Sequence, residues 1–349
     1  MGLAMNKDSN ILLTGGHGFL GNKVYEELAQ QGYTRVMRPS HGTLDLCAAE
    51  QVYSWFRENG TDIVINCAAH CGGIGLNQAR PGELFYDNML MGMNLIQAAR
   101  QWEVEKFVQL GTVCEYPKHA PTPFKEDSLW DGYPEETNAP YGVAKRALLV
   151  MGNAYRQQYG LNIIHLLPVN LYGPGDNFKD DSSHVVAALI KKFFIAKMNN
   201  LPEVTVWGDG TAYREFLYVE DAARGIVLAT DKYNSAEPVN LGTGVTTSIR
   251  ELVTMIAGKI GYEGQIVFDR TKPNGQPERR LDITKAMDFG FVARVDLAEG
   301  LDKTISWYID WYKRFMMRPN AKLKEHIDRM TDRRALCPCS NCRTTPIEP

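Results

Sequence analysis

The sequence lacks an excess of charge of either sign, and it lacks any long apolar run. Its 349 residues include 38 Lys and Arg and 41 Asp and Glu, which gives a formal net charge of -3. This balance gives no indication of nucleic-acid or membrane-surface binding. No apolar stretch approaches the roughly 20 residues that a membrane span needs, and residues 1–10 lack the apolar core of a signal peptide. We therefore expect neither a nucleic-acid partner nor a membrane partner.

The sequence also has few cysteines, and their spacing is irregular. There are seven, at Cys47, Cys67, Cys71, Cys114, Cys337, Cys339 and Cys342. An odd, scattered set in a long chain is typical of reduced thiols in the cytoplasm rather than of a disulfide framework. The last three cysteines form a cluster, but structural zinc usually takes four ligands. We therefore expect no metal and interpret the segment as part of a peripheral tail.

The first 170 residues alternate between short aliphatic runs and longer helical patterns. The expected strands are Ile11 to Thr14, Arg35 to Arg38, Ile63 to Asn66, Phe107 to Leu110 and Ile163 to Leu167. Between them lie helical patterns at Phe19 to Gln31, Gly82 to Gln101 and Tyr141 to Gln158. The alternation predicts βαβ units and hence an α/β fold with a doubly wound parallel Rossmann sheet.

The alternation of strand and helix patterns ends near Leu171, where turn-forming residues become frequent. A helix is expected over His184 to Lys197, a strand over Val204 to Trp207, and a further sheet strand near Val239. We predict a Rossmann domain from residues 1–172 with about 212–245. Residues 173–211 and 246–318 would then form a smaller, segment-sharing C-terminal substrate domain, and 319–349 a peripheral tail.

A glycine-rich turn follows the first strand. Gly15, Gly18 and Gly21 have the spacing G-x-x-G-x-x-G between a strand and an amphipathic helix, with His17, Phe19 and Leu20 between them. Such glycines allow a tight turn and a close approach of backbone to a pyrophosphate, which the N–H groups at the helix start then bind. The turn therefore predicts a dinucleotide site, the alternative being a purely structural turn.

The end of the second strand lacks the acid that usually binds the ribose 2′-hydroxyl of NAD. Arg38 stands there instead, and a guanidinium suits a 2′-phosphate. We therefore prefer NADP(H) and keep NAD(H) as possible, because Arg38 could also be a solvated strand-end residue. Asp45 and Leu46 are predicted to contact the adenine.

Tyr141 and Lys145 lie four residues apart and so share one helix face. A phenol titrates near pH 10, which makes it a poor acid–base catalyst at neutral pH. A nearby ammonium would lower that pKa, so the pair is expected to work as one catalytic unit. Thr112 follows a strand that we expect beside the first strand, and its hydroxyl could complete a triad by binding a substrate carbonyl. The alternative for Thr112 is a hydroxyl that closes a turn.

Several further segments carry a family resemblance over about residues 10–312. They are Cys114-Glu-Tyr-Pro117, Pro168-Val-Asn-Leu-Tyr-Gly-Pro174, Asp176-Asn-Phe178, Ser183-His-Val185, Val206-Trp-Gly208, Arg214-Glu-Phe216 and Lys272-Pro-Asn-Gly275. With the glycine turn and the Tyr-Lys pair, they resemble the extended short-chain dehydrogenase/reductases and, within these, the GDP-L-fucose synthase family. That family epimerises GDP-4-keto-6-deoxymannose at C3 and C5 and reduces it at C4.

The resemblance implies roles for particular residues. The two epimerisation residues of the family fall on Cys114 and His184, whose side chains both titrate near enough to neutral pH to move protons. The nucleotide and phosphate contacts are implied at Asn170, Asn177, Val185, Leu189, Trp207, Arg214 and Arg279. The sequence departs from the family at Thr112, where Ser is usual, and at His17 and His41, where the family has cofactor arginines. Trp207 could also be a core residue, and Arg214 a surface ion pair.

Three functions remain open at this point. The first is the dual epimerase-reductase that makes GDP-L-fucose. The second is a C4 reductase, or a C5 epimerase-reductase, for another GDP-4-keto sugar such as a dideoxy sugar or a heptose. The third is a dinucleotide-binding sensor without turnover, since fold alone never guarantees chemistry. The resemblance also implies a homodimer that pairs the helices Gly82 to Gln101 and Tyr141 to Gln158.

Overall fold

The computed structural model describes residues 5–180, 182–272 and 275–316. Outside these ranges lie Pro273 and Asn274 of one motif and the cysteine-rich segment Cys337 to Cys342. Two segments, Val113–Glu115 and Glu126–Trp130, form short 3-10 helices. In chain order the elements are β1 (Ile11–Thr14), α1 (Phe19–Gln30), β2 (Val36–Met37), α2 (Ala49–Asn59), β3 (Ile63–Asn66), α3 (Ile74–Ala79), α4 (Pro81–Gln101), β4 (Lys106–Leu110), α5 (Ala139–Tyr159), β5 (Ile163–Pro168), β6 (Asn170–Tyr172), α6 (Val185–Met198), β7 (Glu203–Trp207), β8 (Tyr213–Tyr218), α7 (Val219–Lys232), β9 (Val239–Leu241), β10 (Thr246–Ser248), α8 (Ile249–Ile260), β11 (Gln265–Asp269), β12 (Glu278–Arg279), α9 (Thr284–Asp288) and α10 (Leu297–Phe315).

Six parallel strands form a central sheet in the order β2-β1-β3-β4-β5-β9. Successive side chains of a strand point to opposite faces, and helices cover both faces here. Leu12 of β1 packs with residues of α2, α4 and α5, whereas Ile11 and Leu13 pack with residues of α1 and α7. A strand buried on both faces needs an apolar residue at almost every position, which is why the strands appear as continuous aliphatic runs. The predicted doubly wound parallel sheet is confirmed.

The neighbour of β1 differs from our prediction. We expected the strand that precedes Thr112 beside the first strand, but β3 pairs with β1 on one side and with β4 on the other. The chain therefore leaves β1 for β2 on one side and returns to β3 on the other. This reversal of direction opens a crevice at the carboxyl ends of β1 and β3. The loop that carries Thr112 reaches the same edge because all these strands are parallel.

Helices α4 and α5 pack closely against each other. A Cβ added at Gly92 of α4 would lie 2.2 Å from a methyl carbon of Leu148 on α5. The hydroxyl of Tyr155 on α5 donates a hydrogen bond to Gln97 on α4 at 2.7 Å. Because α5 also carries Tyr141 and Lys145, this contact fixes the helix that presents them.

A second hydrophobic cluster joins α6, α8 and α10 with strands β7 and β8. Strand β8 pairs with β6, β10 and β12, and β7 pairs with β11. Helix α7 and strand β9 instead pack in the layer of the central sheet. The domain boundaries at residues 172, 212 and 245 stay a prediction.

Across the described ranges, no helix combines the length and the apolar character that a membrane crossing requires.

Candidate active site

The turn between β1 and α1 brings backbone atoms together at its glycines. Gly15 has a φ of +66°, a left-handed conformation that favours glycine. A Cβ on Gly15 would lie 2.7 Å from the backbone nitrogen of Ala68, and one on Gly21 would lie 2.1 Å from the carbonyl oxygen of Gly15. Helix α1 follows Gly18 without a side-chain cap, so its first N–H groups face the turn. A backbone cradle at a helix start fits a dinucleotide pyrophosphate.

The guanidinium of Arg38 lies beside this turn. Its Nη1 donates hydrogen bonds to the side-chain oxygen of Asn22 at 3.1 Å and to the carbonyl of Gly16 at 3.4 Å. The group also lies over the ring of Tyr25, 3.6 Å from its centroid. The ring nitrogen Nε2 of His17 is 2.9 Å from the carbonyl oxygen of Arg38. A fixed, half-buried cation beside the glycine turn fits the 2′-phosphate of NADP.

The residues predicted for the adenine end form the turn before α2. The carboxylate of Asp45 accepts a hydrogen bond from the N–H of Cys47 at 2.9 Å, and it lies 4.0 Å from Nδ1 of His41. The side chain of Leu46 is buried, and its carbonyl accepts a hydrogen bond from Asn94 at 2.8 Å. Asp45 is thus the more accessible of the two predicted residues. Phe19 and Leu20 are half-buried at the start of α1.

The three residues of the predicted triad converge from β4 and α5. Thr112 begins the 3-10 helix Val113–Glu115, and its hydroxyl accepts the N–H of Cys114 at 3.2 Å. The Thr112 side chain also acts to lower the pKa of the Tyr141 phenol, so the two side chains lie close together. Lys145 is only 2% exposed, and its Nζ donates to the carbonyl of Leu110 at 3.1 Å. A strand end and one helix face therefore meet at the same point.

The protonation of Tyr141 differs from the sequence prediction. We expected Lys145 to lower the pKa of Tyr141, but the pKa is raised well above its usual value. Burial disfavours the phenolate, and Cys71, Cys114 and Glu115 add nearby negative charge. Burial also lowers the pKa of Lys145. The arrangement therefore keeps the phenol protonated, which suits a proton donor.

The thiol of Cys114 lies against two polar side chains. The amide nitrogen Nδ2 of Asn138, the residue before α5, donates to Sγ at 3.3 Å. Nη1 of Arg279 on β12 lies 3.9 Å from the same sulfur. Gly142 of α5 packs on the backbone here, since a Cβ there would lie 2.2 Å from the carbonyl oxygen of Cys114. The thiol is thus held next to the triad with a cation beside it.

His184 precedes α6 and is exposed over 46% of its side chain. Its Nδ1 lies 3.9 Å from the carboxylate of Asp176, which is buried. The segment before His184 contacts the loop after β3, where the N–H of Gly73 donates to the carbonyl of Ser182 at 3.1 Å. That loop includes Cys71, whose charge acts on Tyr141. The loop after β3 therefore lies between the segment that precedes His184 and the surroundings of Tyr141.

Arg214 and Arg279 are cross-strand neighbours on β8 and β12. Nη1 of Arg214 donates to the carbonyls of Tyr213 and Gln276, each at 2.7 Å, and Nε of Arg279 donates to the Gln276 side chain at 2.5 Å. Burial, with the charge of Arg279, lowers the pKa of Arg214 to about 10. Placing two guanidinium groups side by side is unfavourable unless an anion lies between them, so the pair fits a diphosphate.

The other predicted substrate residues differ in their exposure and in their hydrogen bonds. Asn170 donates to the carbonyl of Glu215 at 2.9 Å. Trp207 is 60% exposed, with the ammonium of Lys272 5.5 Å from its ring centroid, so a pure core role is excluded. Asn177 bonds to the hydroxyl of Ser182 at 3.1 Å. Val185 and Leu189 pack on the second hydrophobic cluster, and Leu189 is only 5% exposed. Of the seven predicted residues, Leu189 is the one whose side chain the structure buries in the core.

The sequence analysis missed several residues of this region. Asn138, Cys71 and Glu115 all lie near the triad, although none belongs to it. Glu115 and Asn138 stand within a few residues of Thr112 and Tyr141, so proximity in sequence could have indicated them. Cys71 could not be found in this way, because only the fold brings the loop after β3 to α5.

Comparison with known proteins gives consistent matches. Residues 11–242 match the NAD dependent epimerase/dehydratase family. The chain is 38% identical to the GDP-L-fucose synthase of Escherichia coli (strain K12) over 314 residues, which cover 87% of this chain and 98% of the relative. It also resembles the structure of a GDP-6-OMe-4-keto-L-xylo-heptose reductase from C. jejuni, with a TM-score of 0.84 and 27% identity over 88% and 99% of the two chains. A GDP-L-fucose synthetase from Naegleria fowleri bound to NADP gives a TM-score of 0.82 and 26% identity over 89% and 97%.

Proposed function

The chain belongs to the NAD dependent epimerase/dehydratase family, and from this membership we propose that it is a GDP-L-fucose synthase. It would epimerise GDP-4-keto-6-deoxy-D-mannose at C3 and C5 and reduce it at C4 with NADPH. The resemblance inferred from the sequence is confirmed by relatives that carry this name. The observation that carries the proposal is the position of Cys114, which lies beside the Thr112–Tyr141 pair and is also contacted by Arg279.

NADP(H) is the cofactor that fits the residues at the glycine turn. The turn leaves no room for a Cβ at Gly15 or Gly21, and Arg38 supplies a cation at its edge. The NADP-bound relative supports the same choice. When bound, NADPH supplies the hydride that reduces the C4 carbonyl. Lys145 would hold the ribose next to the nicotinamide, and Asp45 the adenine end.

Epimerisation needs one group that removes a proton and one that returns a proton on the opposite face. The 4-keto group acidifies the hydrogens at C3 and C5. Cys114 and His184 come from separate elements, the 3-10 helix after β4 and the start of α6. The guanidinium of Arg279 lies beside the sulfur of Cys114. The carboxylate of Asp176 would orient the imidazole of His184.

Reduction at C4 produces an alkoxide that must be protonated. Tyr141 is suited to donate this proton because burial keeps its phenol neutral. Thr112, whose side chain lies close to the same phenol, would share the substrate carbonyl oxygen. The buried ammonium of Lys145 lies on the same helix face one turn further and would stabilise the phenolate that remains.

Arg214 and Arg279 would bind the diphosphate of the GDP-sugar. Guanidinium groups bind phosphate in a bidentate way. Arg279 contacts the sulfur of Cys114, and Arg214 lies on β8, which pairs with the strand that carries Asn170. Asn170, Asn177, Val185 and Trp207 would then surround the nucleoside. Leu189 would support this wall from the core rather than contact the ligand.

We also propose a homodimer that works in the cytoplasm. Large apolar side chains are exposed on α4 and α5, namely Phe85, Tyr86, Met93 and Val150. An apolar surface of this kind is typical of an interaction site. The described cysteines Cys67, Cys71 and Cys114 are free thiols, which suits a reducing compartment.

The alternative is a C4 reductase for another GDP-4-keto sugar. The structural match to a heptose reductase favours it, whereas the presence of Cys114 and His184 favours epimerisation. The test is to mix the protein with GDP-4-keto-6-deoxymannose and either NADPH or NADH, follow cofactor oxidation, and identify the sugar by NMR. GDP-L-fucose with a preference for NADPH is the expected result. Oxidation without inversion at C3 and C5 would establish a C4 reductase, and the absence of turnover would contradict the GDP-L-fucose synthase and direct the test to other GDP-4-keto sugars.

A further inference from the structure

A carboxylate and an imidazole lie buried under the loop that carries Thr112. Glu115 is 0% exposed and His165, on β5, is 3% exposed. Nε2 of His165 is 3.1 Å and 3.2 Å from the two carboxylate oxygens of Glu115. The function proposed above uses neither residue. Burying a carboxylate and an imidazole costs desolvation free energy unless their hydrogen bonds are well formed. The position of this pair next to the predicted triad therefore suggests that it has a role there.

The carboxylate of Glu115 also holds the backbone of Thr112. Its Oε1 accepts the N–H of Thr112 at 2.8 Å, while the Thr112 hydroxyl accepts the N–H of Cys114 at 3.2 Å. These two bonds form a reciprocal capping box around the 3-10 helix. The box fixes the position of Thr112, whose side chain lies close to the phenol of Tyr141. A single hydrogen bond therefore links the carboxylate of Glu115 to the backbone of Thr112, a residue of the predicted triad.

Neighbouring residues leave space for this pair or form hydrogen bonds with it. A Cβ at Gly111 would lie 2.2 Å from Nε2 of His165 and 2.3 Å from Oε1 of Glu115, so glycine leaves the space that the pair occupies. Arg146, which follows Lys145 on α5, donates a hydrogen bond to the carbonyl of Glu115. Strand β5, the loop after β4 and helix α5 thus all meet at Glu115.

We propose that Glu115 and His165 form a positioning pair that holds Thr112 and Tyr141 in the geometry for proton transfer to the substrate. Nε2 of His165 donates to the carboxylate of Glu115, which in turn accepts from the N–H of Thr112. The pair does not touch substrate and acts through Thr112. This inference rests on the proposed function, because it gives the Thr112–Tyr141 pair a catalytic role.

The test compares Glu115→Gln, His165→Gln and His165→Leu with the wild-type protein. In Glu115→Gln the N–H of Thr112 and the N–H of the imidazole compete for the one remaining acceptor oxygen, and the new amide NH2 group faces a donor instead of accepting from it. His165→Gln keeps a donor near the position of Nε2, whereas His165→Leu removes it. Glu126→Gln is the matched control, since Glu126 is a buried carboxylate that accepts a backbone N–H from Asn240 and lies outside the triad. For each protein kcat, the KM of the GDP-keto sugar, NADPH affinity and the unfolding temperature are measured.

The proposal expects kcat of Glu115→Gln and His165→Leu to fall on the order of ten- to a hundredfold, the size of effect that a small misplacement of reacting groups produces. KM and NADPH affinity should stay within about threefold, while His165→Gln and Glu126→Gln keep kcat near the wild-type value. A loss of kcat that only follows the folded fraction, or that is equal in Glu126→Gln, would overturn the proposal. If Glu115→Gln does not fold, the contrast between His165→Leu and His165→Gln decides. A wild-type protein without turnover would instead refute the proposed function.

Discussion

The sulfur of Cys114 lies 3.9 Å from Nη1 of Arg279. The two residues are 165 positions apart in the chain, and Arg279 is also the cross-strand neighbour of Arg214. One arginine therefore adjoins both the thiol proposed for epimerisation and the pair proposed for the diphosphate. This contact would align the sugar with the thiol once the diphosphate is bound.

Cys114→Ser should abolish most of the epimerisation, because an alcohol is a far weaker acid–base catalyst than a thiol at neutral pH. We expect exchange of substrate hydrogens at C3 and C5 with deuterated water, measured by NMR without NADPH, to fall by roughly 10²–10⁴-fold. NADPH affinity of the same variant serves as the control and should not change. Exchange at the wild-type rate would remove Cys114 from the reaction.

Tyr141→Phe removes the proton donor while it keeps the ring. Its kcat for the C4 reduction should drop by roughly 10²–10⁴-fold, with NADPH affinity retained. Tyr155→Phe, on the same helix and bonded to Gln97, is the matched control and should keep its activity. Equal losses in the two variants would indicate a structural effect of α5 rather than proton donation.

The rate of reduction should depend weakly on pH above neutrality. The pKa of Tyr141 is raised, so the phenol stays protonated until the pH exceeds that high value. The kcat of the wild-type protein should therefore stay level from about pH 7 to about pH 9, well below where a buried phenol ionises. A steady-state pH profile tests this. A fall with a midpoint near neutrality that disappears in Tyr141→Phe would contradict it.

Arg38→Ala should weaken NADPH more than NADH. A hydrogen bond to a charged group contributes about 1.5–3 kcal/mol, so the KM of NADPH should rise roughly ten- to a hundredfold while that of NADH changes little. The control is Arg35→Ala, since Arg35 is exposed and bonds to the carbonyl of Asp8. If both cofactors weaken equally, Arg38 supports the glycine turn and does not select the phosphate.

Arg214→Ala should raise the KM of the GDP-sugar by a similar factor, roughly ten- to a hundredfold. The pKa of about 10 leaves Arg214 charged at neutral pH. Arg214→Lys should recover only part of the loss, because an ammonium lacks the bidentate fork. Inhibition by GDP measures the same contact without turnover. Arg250→Ala is the control, as its guanidinium lies over Phe268, away from Arg279, and a KM that rises equally there would contradict a specific role.

Much of the fold could be predicted because local patterns and global topology agree here. Strands β1 and β3 begin and end at the predicted residues, since burial on both faces forces unbroken aliphatic runs. Helix α5 begins two residues before Tyr141 because Pro140 fits its first turn. The place of β3 between β1 and β4 could not be predicted, because strand order depends on which crossover packs best and leaves no local pattern.

The sequence by itself determined which residue types form the dinucleotide turn and the predicted catalytic pair. The glycine turn and the positions of Tyr141 and Lys145 are local, since each depends on residues within one turn or one helix. Only the tertiary structure decided how distant groups act on one another. It raised the pKa of Tyr141 through burial beside Cys71 and Glu115, and it brought His165 to Glu115 across 50 residues. Burial and long-range contacts are properties of the packed chain, and no pattern of neighbouring residues encodes them.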